Sequence, residues 1–404
     1  MSRKGEPGQV AAASGLDPRP DAAQFLMDVD RRLPITVVSG SGCMLRSASG
    51  KQYLDLVAGI AVNLLGYSHP ALVEAICSQA SRLINAGDMV HTEAQIELAR
   101  QLVELTFPSR AFFCHSGAEA NEAAIKLARK WGKLRKAGAY EIVTAVDSFH
   151  GRTLAAVTAG GRPRNSDPFT PLPPGFLHVP FNDIEGIRRV TNSNTAAVML
   201  EPILGSAGVI PASAGYLREV RQWCDENHLL LIFDEVQTGL GRTGSWFAFE
   251  KYGVKPDIVT IAKGLGGGVP IGACLASPAA DVFVPGDHGS TVGGNALACA
   301  AAFTVLQTIE SESLVENAAS VGAYLAAGLR TLAPQEVRGT GLMLAMDLRG
   351  PVARALQEKC LEMGLLINVI GDRTVRFVPP LILTRAEVDT AVEVMASALA
   401  ALEL

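Results

Sequence analysis

Residues 229–237 read Leu-Leu-Leu-Ile-Phe-Asp-Glu-Val-Gln: five apolar side chains from Leu229 to Phe233, then Asp234-Glu235-Val236-Gln237. An unbroken apolar run of this length suits a strand covered on both faces, the environment found where helices wrap a parallel sheet. Working outward, the pattern alternates helix and strand. We expect a helix over Glu93–Leu105, a strand Ala111–Cys114, a helix from about Ala118 to Lys136 and a strand Glu141–Val146. Further strands are expected near Ala196–Leu200, Asp257–Ala262 and Ile271–Ala276, with an amphipathic helix over Tyr216–Glu226 and a small-residue helix from about Asn295 to Ile309. The alternation predicts the α/β class with a mainly parallel sheet. The last hundred residues mix helices with short strands (Leu342–Leu348, Leu366–Ile370, Val375–Val378) and read as a smaller α+β unit.

The chain of 404 residues exceeds the size at which one core stops growing. We therefore expect a tail or arm over 1–33, an N-terminal part of a small domain over 34–75, a large domain over 76–310 and the rest of the small domain over 311–404. With 48% hydrophobic and 19% charged residues the composition is that of a globular enzyme, and a net charge of −5 argues against a nucleic-acid surface. The seven cysteines are scattered without a C-x-x-C pair, which suggests neither a disulfide framework nor a zinc site, and the seven histidines are too dispersed to pair on a metal. No run approaches the 18 apolar residues of a membrane span. The expectation is a cytosolic protein with no metal.

Open parallel sheets bind ligands at the carboxyl ends of their strands, and four segments fall there. Ser116-Gly117-Ala118-Glu119 has the S-x-x-E form of a capping box, ordinary when met alone, but its helix N-terminus also offers free N–H groups to an anion. Phe149-His150-Gly151-Arg152 brings an aromatic ring and a planar guanidinium. Asp234 follows five apolar residues, where a carboxylate is costly to bury without a partner. Lys263 precedes Gly264-Leu265-Gly266-Gly267-Gly268, where so few side chains invite close approach of a ligand to a partly desolvated amine.

A competing motif, Gly239-Leu240-Gly241-Arg242-Thr243-Gly244, fits the G-x-G-x-x-G dinucleotide fingerprint and raises a nicotinamide-dependent oxidoreductase as an alternative. It begins five residues after the strand, and Ser245-Trp246-Phe247 is a poor helix opening. The four segments together match pyridoxal phosphate better: Lys263 for an imine, Asp234 to keep the pyridine nitrogen protonated, the Ser116–Ala118 turn for the phosphate, and Phe149 to stack on the ring.

The stretches FFCHSGAEANEAAIKLAR, SFHGRTLAAVTAGG, LLLIFDEVQTGLGRTG, IAKGLGGGVPIGA and HGSTVGGN together resemble class III pyridoxal-phosphate aminotransferases, the acetylornithine and ornithine branch above all. The resemblance, which runs from about residue 34 to the end, implies fold type I with a seven-stranded, mainly parallel sheet. It further implies a homodimer with its active site at the interface, transfer of the distal amino group of N-acetylornithine or another ω-amino acid (ornithine, 4-aminobutyrate) to 2-oxoglutarate, and a place in amino-acid biosynthesis, arginine biosynthesis in particular. By position it implies that Ser116, Gly117 and Ala118 hold the phosphate, Phe149 stacks on the ring, Val236 binds the cofactor, Gln237 meets the ring oxygen, and Asp234 and Lys263 are catalytic. Thr291 would reach the neighbouring subunit's cofactor phosphate, with Ser290, Arg152 and Arg376 on the substrate. The chain departs from the pattern at Ser206, where a glutamate is usual, and at His115, Val292 and Asp30. These departures bear on donor choice and not on the cofactor chemistry. A catalytically silent relative is disfavoured because no catalytic position is missing.

Overall fold

The computed structural model describes residues 25–402, so most of the expected N-terminal arm lies outside the described residues. In chain order the strands are β1 Val37–Ser41, β2 Met44–Ser47, β3 Gln52–Asp55, β4 Arg110–Cys114, β5 Glu141–Ala145, β6 Phe176–Val179 and β7 Thr195–Leu200. They continue as β8 Ile203–Leu204, β9 Ile210–Pro211, β10 Leu230–Asp234, β11 Ile258–Ile261, β12 Gly272–Ala276, β13 Glu336–Thr340, β14 Met343–Asp347, β15 Leu365–Leu366, β16 Asn368–Ile370 and β17 Thr374–Phe377. Seven of these form one sheet in the order β4-β12-β11-β10-β7-β5-β6. β10 runs parallel to both β7 and β11, whereas β12 is antiparallel to β11 and to β4. Every strand of the sheet except β12 therefore points the same way.

The apolar run at 229–233 is explained by what lies on each side of β10. Leu231 and Phe233 enter one core with Val198, Leu200, Val259 and Ile261. Leu230 and Ile232 enter a second core on the opposite face with Ala197, Met199 and Ile258. The helix Gly117–Arg135 packs on this second face through Ala123, Ala124, Ile125, Leu127 and Ala128, while Tyr216–Glu226 and Ala296–Ser311 cover the first. Burying each large aliphatic side chain contributes about 1.5–3 kcal/mol. A polar residue inside β10 would lose that on whichever face it met.

Two four-stranded sheets and the two-stranded β8-β9 complete the frame. One has the order β13-β14-β17-β16 and is antiparallel throughout; the other has the order β1-β2-β3-β15, in which β3 pairs in parallel with β15. Residues near the two ends of the chain thus share one sheet. The sequence reading did not anticipate β1 to β3, β6 or β13. β1 is almost wholly exposed and β13 carries one exposed and four half-buried residues, so neither shows the apolar alternation from which strands are read. No described helix is long and apolar enough to cross a membrane.

One glycine tests how tightly the sheet and its covering helix are joined. A Cβ at Gly132, in the helix Gly117–Arg135, would lie 2.1 Å from the carbonyl oxygen of Ala139. Helix propensity alone favours alanine over glycine by roughly 1 kcal/mol, but the contact is with backbone that has no room to yield. Gly132→Ala should therefore lower the melting temperature; a rise in thermal unfolding experiments would show that the turn at 136–139 relaxes freely.

Candidate functional site

Because β4, β5, β7, β10 and β11 share one direction, their carboxyl ends meet at one edge of the sheet. Asp234 closes β10, and just beyond the other ends stand Ser116, Phe149, Glu201 and Lys263. The four segments singled out in the sequence are thereby brought together, with one addition: Glu201, at the end of β7.

Asp234 is buried and its carboxylate is almost fully engaged. Oδ2 accepts from His150 Nδ1 at 2.8 Å and from Asn121 Nδ2 at 2.7 Å, and Oδ1 accepts from the Val236 amide at 3.0 Å. Three of about four acceptor positions are used. His150, by sequence an ordinary surface or packing histidine, is buried against this carboxylate, and its Nε2 has no hydrogen-bond partner among the described residues. Asn121 sits one helical turn after Gly117, and the sequence reading missed it too. Its neighbourhood in N-E-A-A-I-K is that of any amphipathic helix, so nothing in the spacing marks it.

Lys263 opens a short 3-10 turn, Lys263–Gly266, with a φ of +42° in the left-handed region. Burial lowers its ammonium pKa to about 8, opposed by the charges of Asp234 and Glu201 and reinforced by Arg376 and Arg242. Glu201 accepts from the Phe149 amide at 2.9 Å and the Gly205 amide at 3.3 Å. Burial, and then the nearby Asp234 charge, raise its carboxyl pKa, while His150 and Lys263 pull it back. Arg376, on β17, is buried; its Nε donates to Asn368 Oδ1 at 2.9 Å and Nη1 to Gly205 O at 3.3 Å and Gln237 Oε1 at 3.4 Å. Desolvation brings its pKa down to about 10, with Glu201 holding it up. Ser206 lies half-buried just past Gly205 and supplies no charge.

Ser116 caps the helix Gly117–Arg135, its Oγ accepting from the Glu119 amide at 3.2 Å and donating to Glu119 Oε2 at 2.8 Å. By position, the amides of Gly117 and Ala118 have no acceptor within the helix. Glycine is required at 117, where a Cβ would stand 2.7 Å from Val236 Cγ1. His115 pairs through Nδ1 with Glu119 at 3.1 Å. The exposed Arg152 places its guanidinium 5.4 Å from the centroid of the Phe149 ring, so one residue expected on the substrate lies against the residue expected on the cofactor ring. Ser290 is half-buried, and Thr291, Val292 and Asp30 are exposed.

The Gly239–Gly244 loop does other work. Arg242 is fully buried, with Nη1 donating to Leu342 O at 2.9 Å and Pro379 O at 2.5 Å, and the Leu342 amide donates back to Arg242 O. The loop clasps the C-terminal segments; the next helix, Ala248–Tyr252, starts four residues later. A dinucleotide fingerprint needs its last glycine at a helix start.

The edge fits pyridoxal phosphate on its own chemistry. It offers an amine held near neutrality, a buried carboxylate with one acceptor position unclaimed, and a glycine-floored helix N-terminus.

Comparison with known proteins agrees. The class III aminotransferase family model matches residues 26–399. The acetylornithine aminotransferase of Caldanaerobacter subterraneus is 49% identical over 378 residues, 92% of this chain and 96% of that one. The acetylornithine aminotransferase of Methanocaldococcus jannaschii is 46% identical over 379 residues, 92% of this chain and 95% of its own. Among solved structures, ornithine aminotransferase from Toxoplasma gondii superposes with a TM-score of 0.92 at 31% identity, covering 99% of both chains. Acetylornithine aminotransferase from Elizabethkingia anophelis gives 0.83 at 32% identity, covering 95% of this chain and 97% of that one.

The charges around Lys263 make its titration a direct probe of the site. Asp234→Asn removes a charge that raises the amine pKa and should move it further below 8, whereas Arg376→Gln should move it up. An NMR titration of the isotope-labelled lysine checks both; no shift in either variant would mean that burial alone sets the value.

Proposed function

The chain belongs to the class III aminotransferases and is a pyridoxal-phosphate-dependent transaminase; from that premise we propose that it moves the distal amino group of N-acetylornithine to 2-oxoglutarate, giving a semialdehyde and glutamate. The observation that carries the choice of donor is the set of acetylornithine aminotransferases 46–49% identical over 92% of this chain. We infer the residue roles from the geometry. Pyridoxal phosphate, when bound, supplies an electrophilic carbon that takes up the amino group and a ring that spreads the electron pair left behind when the carbon bearing it loses its proton. Asp234 Oδ1 holds the proton on the ring nitrogen. Ser116, Gly117 and Ala118 hold the phosphate through the capped helix N-terminus, where the aligned peptide dipoles favour an anion. Phe149 and Val236 would shield the bound ring from water, and Gln237 would contact its oxygen.

Lys263 Nζ is the proton carrier. With its pKa at about 8 it is largely neutral above that pH, free to take the proton from the amine-bearing carbon of the donor and to deliver one to the keto carbon of the acceptor. Arg376 and Arg152 receive the carboxylates of the dicarboxylate substrate. A guanidinium fork suits bidentate carboxylate binding, and Arg376 meets only neutral acceptors in its hydrogen bonds.

We further read the chain as a large cofactor-binding domain over 76–310 and a small domain assembled from 34–75 and 311–404, a division supported by the pairing of β3 with β15. It acts as a homodimer in this reading, with Thr291 and Ser290 presented to the partner's site. The exposure of Thr291 and Val292, together with the exposed apolar Ile84, Met89 and Val90, supports a covering second copy.

Lys263→Ala should abolish turnover, by more than about a thousandfold in kcat, while the chain still binds pyridoxal phosphate noncovalently; turnover within tenfold of wild type would overturn the assignment. Ser206 governs a second outcome. With no acidic side chain at 206, an ω-amine donor that leaves Arg376 empty faces a buried guanidinium compensated by the charge of Glu201. Ser206→Glu should raise the ratio of N-acetylornithine to glutamate single-turnover rates by roughly tenfold, the size of one modest charge interaction. An unchanged ratio across glutamate, N-acetylornithine, ornithine and 4-aminobutyrate would place donor choice elsewhere.

A further inference from the structure

We propose that Asn121 is a positioning residue for the cofactor acid: its amide selects which oxygen of Asp234 meets the pyridine nitrogen. This deepens the reading above and rests on it. Asn121 is buried at 1% exposure, in the first turns of the helix whose N-terminus cups the phosphate, and it does not line the phosphate turn itself. Its Nδ2 donates both to Asp234 Oδ2 at 2.7 Å and to the carbonyl oxygen of His150 at 2.7 Å. Its Oδ1 accepts from Thr260 Oγ1 at 2.7 Å.

The orientation of the amide follows from these partners. A carboxylate and a carbonyl can only accept, so Nδ2 must face them, and the Thr260 hydroxyl completes the other end as donor. Asn121 and His150 together then fill Oδ2. Oδ1 has one position taken by the Val236 amide and one left. The carboxylate cannot rotate to offer Oδ2 instead without breaking two charge-assisted bonds in a buried setting. A single acceptor position, on a single oxygen, is what remains for a ring N–H. The same amide fixes the His150–Gly151 peptide, in the loop that carries Phe149, through the His150 carbonyl. One side chain thus sets three cofactor contacts against each other: the phosphate helix it grows from, the acid, and the loop of the stacking aromatic.

Thr260 separates this role from plain packing. Its hydroxyl is fully buried and bonds to Asn121, yet Thr260→Val leaves both Nδ2 donors in place. Thr260→Val and Asn121→Ala each break a buried hydrogen bond, but only the second frees Asp234.

The experiment measures affinity of the apoprotein for pyridoxal phosphate, the rise in melting temperature that saturating pyridoxal phosphate produces, and kcat and KM for the amino donor. Asn121→Ala should weaken pyridoxal phosphate roughly ten- to hundredfold, the range for losing one hydrogen bond to a charged group. It should also shrink the cofactor-induced rise in melting temperature and lower kcat with the donor KM within about twofold. Thr260→Val should lower the melting temperature of apo and loaded protein alike and leave cofactor affinity within about threefold. Should Asn121→Ala not fold, Asn121→Asp keeps the shape and the Thr260 bond but turns the donor into an acceptor, and is expected to weaken the cofactor at least tenfold. Equal cofactor affinities for Asn121→Ala and Thr260→Val, or wild-type affinity in Asn121→Asp, would overturn the proposal. Failure of the wild-type apoprotein to bind pyridoxal phosphate would instead overturn the functional reading on which it rests.

Discussion

A carboxylate at the end of a strand buried on both faces is the constraint around which this edge of the molecule is arranged. Asp234 cannot sit there alone, since an isolated buried carboxylate would take up a proton and lose the charge that makes it useful. Three donors answer it, and each comes from a different place: Asn121 from the covering helix, His150 from the loop after β5, and the Val236 amide from the chain that follows β10. Satisfying the acid therefore fixes the relative positions of a helix, a loop and a strand end. The cofactor contacts expected from Ser116, Phe149 and Lys263 lie on these same elements or on the adjoining β11, so their spacing is a consequence of pairing one charge.

The interior of the site is also charged in a balanced way. Two acids, Asp234 and Glu201, and two cations, Arg376 and Arg242, act on the Lys263 amine in opposite senses, and burial tips the outcome toward the neutral form. Arg242 has a second duty. Its bonds to Leu342 and Pro379 tie the segment after β10 to the C-terminal part of the chain, which also carries Arg376. A motif that reads as a nucleotide fingerprint in one dimension is, in three, a clasp on the C-terminal segment that bears Arg376.

The sequence was most legible where one physical demand dominates. The run 229–233 needs both faces covered, and the observed strand follows it within a residue; the helices Glu93–Leu105 and Tyr216–Glu226 end where their apolar periodicity ends. Asp234 and Lys263 stood out because each breaks a local rule, a charge after five apolar residues and a lysine before a run of glycines. Asn121, His150 and Glu201 broke none. An asparagine within an amphipathic helix, a histidine after a phenylalanine and a glutamate before a proline are unremarkable singly. Their meaning arises only when parallel strands carry them to one edge from residues 29 to 113 positions apart.

The pairing between distant strands was illegible for a different reason. β15 has two residues and gains its place by pairing with β3, more than three hundred positions earlier, so no local window contains the information. The cost of closing so long a loop grows only logarithmically with its length, about 0.6 kcal/mol for each doubling. Long-range pairing is thus cheap enough to be used and invisible to any reading of neighbours. That pairing lets the N-terminal residues and the strand bearing Arg376 belong to one structural neighbourhood. Asn368 opens β16, one residue past β15, and holds the Nε of Arg376. The orientation of the Arg376 guanidinium therefore traces back to the strand Gln52–Asp55 through its pairing with β15.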